Sequence, residues 1–373
     1  MIYLDTAATS LLKPETVAPA VLRAMGRLAS PGRGGHAPAM AAAACCYRCR
    51  EKAARLFHVP EPEQVVLTFN ATHGLNIAIR SLVRPGARVL ISGYEHNAVT
   101  RPLHALGAKT LVLKTPLFDP AAFLRAAEAQ IDEAEAVVCT HVSNVFGYIL
   151  PVRELAALCR ARGKPLILDA SQSAGVLPLD FAALGADFVA MPGHKGLMGP
   201  QGTGLLLCKN DARPLLYGGS GSDSRAQDMP AYLPDRLEAG TANVCGVAGL
   251  EAALDWLLAK GTQTVRAVEW ARLRALAEPL AASGHLRLFD SGSEAAQTGV
   301  LSVQPLRMDC DRFAEALAAA GVAVRSGLHC APLAHETAGT AERGTVRFST
   351  SPFHSRLQML RAAEICEKIL KKA

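Results

Sequence analysis

Short apolar runs with strand character alternate with helical patterns from about residue 65 onward. This alternation constrains the possible fold more than any other feature of the chain. The predicted strands are 65–69, 88–92, 110–113, 136–140, 165–169, 187–191 and 203–208. Strands that are apolar throughout and separated by helices are typical of a largely parallel sheet covered on both faces. Because ligands in such sheets bind beyond the carboxyl ends of the strands, we predict an α/β fold with a binding cleft at that edge.

The character of the sequence changes after the glycine-rich stretch at 218–221. A loop runs to about residue 234, and long helical patterns then cover 246–282. An isolated strand at 300–303, a helix at 311–320, a strand at 345–349 and a terminal helix follow, which is typical of a smaller α+β unit. We therefore expect a large domain of residues 16–250 with a mainly parallel seven-stranded sheet. Residues 1–15 and 251–373 are expected to form a small domain.

Composition argues against several classes of protein. The 373 residues carry 39 Lys plus Arg against 33 Asp plus Glu, and no block of basic residues stands out. A dedicated nucleic-acid binder is therefore not expected. No apolar run approaches the ~20 residues of a membrane span, and the first residues lack the pattern of a signal peptide. We expect a cytoplasmic protein, without membrane or nucleic-acid partners, whose ten cysteines are free thiols.

One lysine lies in a context that favours chemistry. A predicted strand ends at Pro192-Gly193, and His194-Lys195 follow before a glycine-rich segment. A lysine at a strand end among small residues can lie close to a ligand, and partial desolvation lowers its pKa, which suits Schiff-base chemistry. For a lone Gly-His-Lys tripeptide, a surface turn is the more frequent explanation.

Two other positions predict a ligand at the same edge of the sheet. Asp169 closes an apolar strand, where a carboxylate can keep the ring nitrogen of pyridoxal phosphate (PLP) protonated. Asn70, Ala71 and Thr72 lie where the first strand turns into a helix, and the N–H groups of a helix start can bind a phosphate. Simple helix capping is the alternative at both positions. With Lys195, the three features favour a PLP site.

A series of ordered motifs resembles the class V aminotransferase family, and within it the cysteine desulfurases and selenocysteine lyases. The motifs are LDTAAT (4–9), RGGH (33–36), NATHGLN (70–76), EHNA (95–98), HVSNVFG (141–147), LDASQSAG (168–175), GHKGLMGPQGTG (193–204), EAGTANV (238–244), RSGLHCAP (325–332) and VRFS (346–349). This resemblance implies fold type I of the PLP-dependent transferases, PLP as cofactor, a homodimer and a small amino acid as substrate.

The resemblance also implies roles for single residues. Lys195 is the lysine that binds PLP covalently, His96 stacks on its ring and contributes to catalysis, Asp169 pairs with the ring nitrogen, and Gln172 bonds the ring oxygen. The phosphate is bound by Ala71, Thr72 and His194, and from the other subunit by Gly240 and Thr241. The substrate is bound by Asn144, Arg347, Arg325 and His36, of which Asn144 and Arg347 take its carboxylate.

Cys330 is the candidate nucleophile among the cysteines. Gly327 and Pro332 indicate a loop around it, and His329 and Arg325 are expected to favour its thiolate. A small buried hydrophobe is the more frequent explanation for a lone cysteine. The motif resembles the RxGxxCA signature of the SUF-type desulfurases and selenocysteine lyases. We predict that Cys330 accepts the sulfur of L-cysteine as a persulfide, leaves L-alanine and passes the sulfur to an acceptor protein or small thiol, as in iron–sulfur cluster assembly.

A second group of cysteines, in residues 45–49, contains a CxxC. A metal site usually needs four ligands from two paired motifs, and no second motif is present. A buried helix face is the preferred interpretation because one helical stripe holds Cys46, Cys49, Ala53, Leu56 and Phe57. Cys139 and Cys208 lie in apolar strands and are expected in the core.

The chain departs from the family pattern at three places. Pro192 stands where a serine often binds phosphate, Thr6 replaces an asparagine, and residues 351–355 differ after the carboxylate-binding arginine. The last change bears on the identity of the substrate. A selenocysteine lyase, a class V aminotransferase acting on another small amino acid, and a non-catalytic or metal-binding protein of the same fold are the alternatives.

Overall fold

A computed structural model describes residues 1–32, 34–209 and 212–372. Its strands are β1 (Ile2–Tyr3), β2 (Val65–Thr68), β3 (Arg88–Ser92), β4 (Lys109–Leu113), β5 (Ala136–Thr140), β6 (Leu166–Asp169), β7 (Phe188–Pro192), β8 (Gly204–Cys208), β9 (Leu286–Phe289), β10 (Val300–Pro305), β11 (Val322–Ala323), β12 (Arg325–Gly327) and β13 (Thr345–Ser349). Its helices are α1 (Val17–Arg27), α2 (Ala37–Phe57), α3 (Ala71–Leu82), α4 (Asn97–Ala105), α5 (Pro120–Gln130), α6 (Val152–Ala161), α7 (Phe181–Leu184), α8 (Val244–Lys260), α9 (Thr262–Ala282), α10 (Cys310–Ala319), α11 (Pro332–Thr337) and α12 (Arg356–Leu370).

The largest sheet has seven strands in the order β2-β8-β7-β6-β5-β3-β4. Neighbours from β7 through β4 are parallel, while β8 runs antiparallel to both β7 and β2. Buried apolar side chains cover both faces, because alternate residues of these strands belong to two separate hydrophobic clusters. The predicted α/β fold with a mainly parallel seven-stranded sheet is confirmed. The carboxyl ends of β3, β5, β6 and β7 consequently meet at one edge.

A second sheet has the antiparallel order β12-β13-β10-β9, and β1 pairs with β11 in a third. The predicted strand at 300–303 is confirmed as β10, although it is not isolated in the sheet, because it pairs with both β13 and β9. β12 (Arg325–Gly327) is short and contains a glycine, so the sequence carries no strand signal there. Leu4 packs in the same hydrophobic cluster as the second sheet.

The long helical pattern at 246–282 is two helices. Gly261, at φ 78°, follows α8 and precedes α9, and a residue with a Cβ is strained at that angle. The predicted domain boundary at residue 250 falls inside α8, whose buried residues pack with the helices of the large sheet. The division at 250 stays a prediction.

The CxxC segment lies within α2, whose buried face packs on α8. Cys45, Cys46 and Cys49 are buried there, as are Cys139 and Cys208 in their strands. Burial raises the pKa of Cys46 to about 11, so the thiol is neutral near pH 7. The prediction of a buried helix face is confirmed. Among the described residues, no helix is long and apolar enough to cross a membrane.

A buried ion pair ties α2 to the loop that precedes α8. Arg50 is 7% exposed, and its guanidinium donates to Glu238 at 2.6 and 2.7 Å and also to the carbonyl of Val65. Glu238 accepts the Leu67 N–H at 2.6 Å as well. The pair therefore holds the 238–243 loop against β2.

Replacing Glu238 by alanine should destabilise the protein because Arg50 is left as an unpaired buried charge. We expect a loss of about 3 kcal/mol in the free energy of unfolding, measured by urea denaturation. The matched control is Glu135→Ala, which removes the partner of the exposed Arg84 and should leave the midpoint unchanged. Equal midpoints for the two variants would contradict the role of the buried pair.

Candidate active site

One cleft lies at the edge of the large sheet where the predicted site residues meet. The carboxyl ends of β5, β6 and β7 and the starts of α3 and α4 form its walls. The predicted residues that line it are Ala71, Thr72, His96, Asn144, Asp169, Gln172, His194 and Lys195. They come from five separate chain segments, so the cleft is made by the strand order and not by any one motif.

Lys195 follows β7 on a tight turn. The Gly193 N–H donates to the Thr203 carbonyl at 2.8 Å, and a Cβ on Gly193 would lie 2.1 Å from the Thr203 hydroxyl. No hydrogen bond or ion pair joins the Lys195 amine to another described residue. Desolvation lowers the pKa of Lys195 to about 8, although the charge of Asp169 acts in the opposite direction. A neutral, nucleophilic amine is therefore well populated near physiological pH.

Asp169 is the last residue of β6 and is 2% exposed. One carboxylate oxygen accepts the Ser171 N–H at 2.9 Å, and its backbone carbonyl accepts the His141 N–H at 2.9 Å. Turns follow Asp169 instead of a helix, so helix capping does not explain a buried acid here. The carboxylate faces a cleft that also holds Lys195.

His96 lies at the start of α4 as its N-terminal capping residue. Its Nδ1 accepts the Ala98 N–H at 3.0 Å, so the proton of the neutral ring is on Nε2. Desolvation lowers the pKa of His96 to about 4, helped by the charges of Lys195, Arg325 and Arg347, whereas Asp169 opposes the shift. The ring is consequently neutral near pH 7.

The phosphate end predicted from the sequence is the start of α3. Asn70 caps this helix by accepting the His73 N–H at 2.9 Å, which leaves the first-turn N–H groups of Ala71 and Thr72 for a ligand. His194 lies across the cleft with Nδ1 3.1 Å from the Thr9 hydroxyl. Its pKa is lowered to about 4, mainly by desolvation, so His194 offers a neutral ring.

These residues fit pyridoxal phosphate by their chemistry. An unpaired amine of lowered pKa suits a carbonyl, a buried acid suits a pyridine nitrogen, and a helix start with a hydroxyl suits a phosphate. Gln172 lies at the same cleft with its amide donating to the Ala7 carbonyl at 3.0 Å. Pro192, the departure from the family pattern, ends β7 beside Gly204 and offers no N–H.

The predicted carboxylate-binding arginine is deeply buried. Arg347 in β13 is 2% exposed, with Nη2 2.7 Å from Asp5 and Nη1 donating to the Asn144 carbonyl at 2.9 Å. Its Nε has no partner among the described residues. The backbone of Arg325 lies opposite that of Arg347 in the β12–β13 ladder, and the Arg325 side chain is exposed. Two guanidinium groups therefore lie at this end of the cleft.

Cys330 is exposed and lies in the loop between β12 and α11, as predicted. It borders a surface depression together with Thr72 and His96, two residues that also line the cleft. The expectation that His329 favours the thiolate is wrong at neutral pH. Desolvation holds the pKa of His329 well below its usual value, and its Nε2 contacts Thr345, so this ring supplies no positive charge.

Besides Arg325, Arg347 and Cys330, which lie next to the cleft without lining it, three predicted residues lie elsewhere on the chain. Gly240 and Thr241 line a separate surface depression that also contains Pro31 and Gly32. His36 is exposed and caps α2 by accepting the Ala39 N–H at 3.4 Å. Arg33 of the RGGH motif lies outside the described residues. Among the described residues, no group of three or more His, Cys, Asp or Glu side chains is arranged to hold a metal ion.

Sequence reasoning missed the contribution of the amino-terminal segment. The Ser10 N–H and hydroxyl both donate to the His194 carbonyl, and Lys13 donates to the Gly199 carbonyl at 2.7 Å. It also missed Glu95, which is fully buried, accepts the Thr140 N–H at 2.7 Å and has its pKa raised to about 8 by desolvation. The LDTAAT and EHNA motifs were the only signals, because no periodicity marks these residues.

Comparison with known proteins gives concordant results. A family model described as aminotransferase class-V matches residues 2–358. A probable cysteine desulfurase of Methanothermobacter thermautotrophicus is 32% identical over 94% of this chain and 91% of its own length. The apo structure of a cysteine desulfurase from Thermococcus onnurineus superposes with a TM-score of 0.92 at 28% identity, covering 100% of this chain and 95% of that one. A cysteine desulfurase structure from Escherichia coli has a TM-score of 0.86 at 27% identity, covering 99% and 94%.

The amine of Lys195 should titrate near pH 8 in cofactor-free protein. We expect its acylation by an amine reagent, followed by mass spectrometry from pH 6 to 11, to have a midpoint of about 8. Asp169→Asn should move the midpoint lower, because the charge of Asp169 raises this pKa. Lys52 is the internal control, since hydrogen bonds to Asp255 and Glu251 hold its pKa above the usual value despite desolvation. A Lys195 midpoint equal to that of Lys52 would refute the desolvated site.

Proposed function

This chain belongs to the class V aminotransferase family, and we propose that it is a PLP-dependent cysteine desulfurase. Its substrate is L-cysteine, its product is L-alanine, and Cys330 takes up the sulfur. The observation that carries the proposal is that Lys195, Asp169 and His96 share one cleft while an exposed Cys330 lies at its mouth. Relatives named as cysteine desulfurases, one of them 32% identical along most of the chain, support the same activity.

The cofactor is held by groups whose charge states the fold has already set. Lys195 would bind it covalently, Asp169 would pair with the ring nitrogen, and the neutral ring of His96 would pack on the cofactor ring. The N–H groups of Ala71 and Thr72 and the ring of His194 would bind the phosphate, while Gln172 would bond the ring oxygen. Bound PLP supplies an electron sink for the charge left on the substrate when a proton is removed.

Once the substrate amine has taken its place on the cofactor, the freed amine of Lys195 would act as the general base on the substrate. Its pKa of about 8 leaves a neutral amine available near physiological pH, which is the condition for efficient proton removal. Asp169 opposes further lowering of this pKa, so the same amine can return the proton to the product.

The substrate carboxylate is oriented by Arg347. Asp5 and the Asn144 carbonyl fix the plane of its guanidinium from two sides, and the planar fork of an arginine matches a carboxylate. Arg325, which lies opposite Arg347 in the ladder, adds a second positive charge. Amino acids that bind through their α-carboxylate are therefore the favoured class of substrate.

The thiolate of Cys330 attacks the sulfur of the bound cysteine. A sulfur–sulfur bond forms as the bond between the substrate sulfur and Cβ breaks, and the electron pair of that bond stays with the carbon skeleton. Protonation of the skeleton gives alanine, and Cys330 is left as a persulfide. A reducing thiol or an acceptor protein then removes the outer sulfur and restores the thiol.

The active unit is proposed to be a homodimer in the cytoplasm. Gly240 and Thr241 line a depression separate from their own chain's cleft, which suits a contact with the phosphate end of the partner's cleft. Tyr47 and Phe69 border the same depression and are 46% and 49% exposed. The cysteines, all of which are free thiols, suit a reducing compartment.

Cys330→Ala should lose cysteine desulfuration while it retains the bound cofactor. We expect alanine and sulfide formation from L-cysteine, with a reducing thiol present, to fall by at least about a hundredfold because the nucleophile is gone. The absorbance of bound PLP should be unchanged. Cys245→Ala is the matched control, because Cys245 is half-buried and outside the cleft.

Other outcomes separate the alternatives. Unchanged sulfide production in Cys330→Ala would contradict the persulfide step. Amino-group transfer to 2-oxo acids at the same rate in the unmodified protein and in Cys330→Ala would identify an aminotransferase. Turnover of L-selenocysteine far above that of L-cysteine in the unmodified enzyme would identify a selenocysteine lyase.

A further inference from the structure

The cysteine loop, residues 328–331, has a backbone that needs outside support. His329 and Cys330 are consecutive residues with φ of 50° and 58°. Left-handed backbone is unfavourable for residues with a Cβ, so such residues persist only where their surroundings fix them. The contacts of this loop therefore decide where the Cys330 thiol lies.

Two hydrogen bonds from the edge of the large sheet hold the two left-handed residues. The side-chain amide of Asn144 donates to the His329 carbonyl at 2.8 Å, and the backbone N–H of Asn97 donates to the Cys330 carbonyl at 2.8 Å. On its other side the His329 ring contacts the Thr345 hydroxyl at 3.1 Å. The loop is thus held between the two sheets. Of the two bonds from the large sheet, the one from Asn144 is made by a side chain and the one from Asn97 by the main chain.

Asn144 also contacts the arginine of the substrate end through a different atom. Its backbone carbonyl accepts from Nη1 of Arg347 at 2.9 Å, while its side chain is directed to the loop. A side-chain amide has two N–H groups that can donate to a carboxylate, whereas its oxygen cannot. In Asn144 one of these N–H groups already donates to the His329 carbonyl. The cysteine loop is therefore a partner of this side chain in the structure.

We propose that Asn144 is a positioning residue for Cys330, whose side-chain amide holds the cysteine loop so that the thiol points to the substrate sulfur. This role deepens the proposed function and rests on it for its kinetic consequence. Attack of one sulfur on another requires close and aligned approach, and small displacements of the nucleophile reduce the rate strongly. Loss of the amide should release the loop without removing the thiol.

Hydrogen exchange in cofactor-free protein tests the contact directly. In Asn144→Ala the amides of residues 328–331 should exchange roughly tenfold faster than in the unmodified protein, because one hydrogen bond that opposes local opening is lost. Asn97→Ala is the matched control: its bond to Cys330 uses the main chain, so exchange in the loop should not change. An unchanged exchange rate in Asn144→Ala would overturn the proposal. Asn144→Ser, whose shorter side chain cannot span the gap, serves if the alanine variant does not fold.

Turnover of two substrates separates positioning of Cys330 from binding of the carboxylate. Selenium leaves carbon more easily than sulfur, so L-selenocysteine depends less on the thiol. In Asn144→Ala we expect kcat for L-cysteine to fall about a hundredfold, with less than a tenfold fall for L-selenocysteine. Equal losses on both substrates, or a change in KM alone, would assign Asn144 to the carboxylate and overturn the positioning role. If the unmodified protein desulfurates no cysteine, the proposed function fails, and the exchange rates still decide the contact.

Discussion

The parallel pairing of β5, β6 and β7 is the constraint on which the site depends. Thr140 lies opposite Asp169 and Asp169 lies opposite Ala190 in the ladders, so β5 and β6 end at the same level and β7 ends just beyond them, at Pro192. The segments that follow them carry Asn144, Gln172 and Lys195 into one cleft. Backbone hydrogen bonds, which form along the whole ladder, thus fix the relative heights of groups that are far apart in the chain.

Desolvation is the common cause of the charge states in the cleft. It lowers the pKa of Lys195 to about 8 and that of His96 and His194 to about 4. Positive charges from Arg325 and Arg347 act on His96 and Lys195 in the same direction, and Asp169 opposes them. The result is a cleft with neutral rings and a partly neutral amine next to a buried acid. Burial therefore prepares the residues for cofactor and proton chemistry before any ligand is bound.

Much of the architecture could be predicted from residue patterns. The bounds of β3, β5, β13 and α3 agree with their apolar runs and caps. In such segments the pattern of apolar residues itself shows which residues are buried and where the element ends. The shorter elements could not be predicted: β12 is three residues with a glycine, and its conformation depends on pairing with β13. The charge state of His329 was also wrongly expected, since a histidine next to a cysteine in sequence points away from it to Thr345.

The sequence by itself determined the fold class, the family and the identity of Lys195, Asp169 and Cys330 as reactive candidates. These follow from local periodicity and from motifs whose residues are close in the chain. Only the tertiary structure decided what each group contacts and how it is charged. Arg347 meets Asp5 from the opposite end of the chain, and Asn144 meets the His329 carbonyl. Such contacts join residues separated by more than a hundred positions, and pKa shifts depend on the surrounding atoms, so neither is encoded in any local pattern.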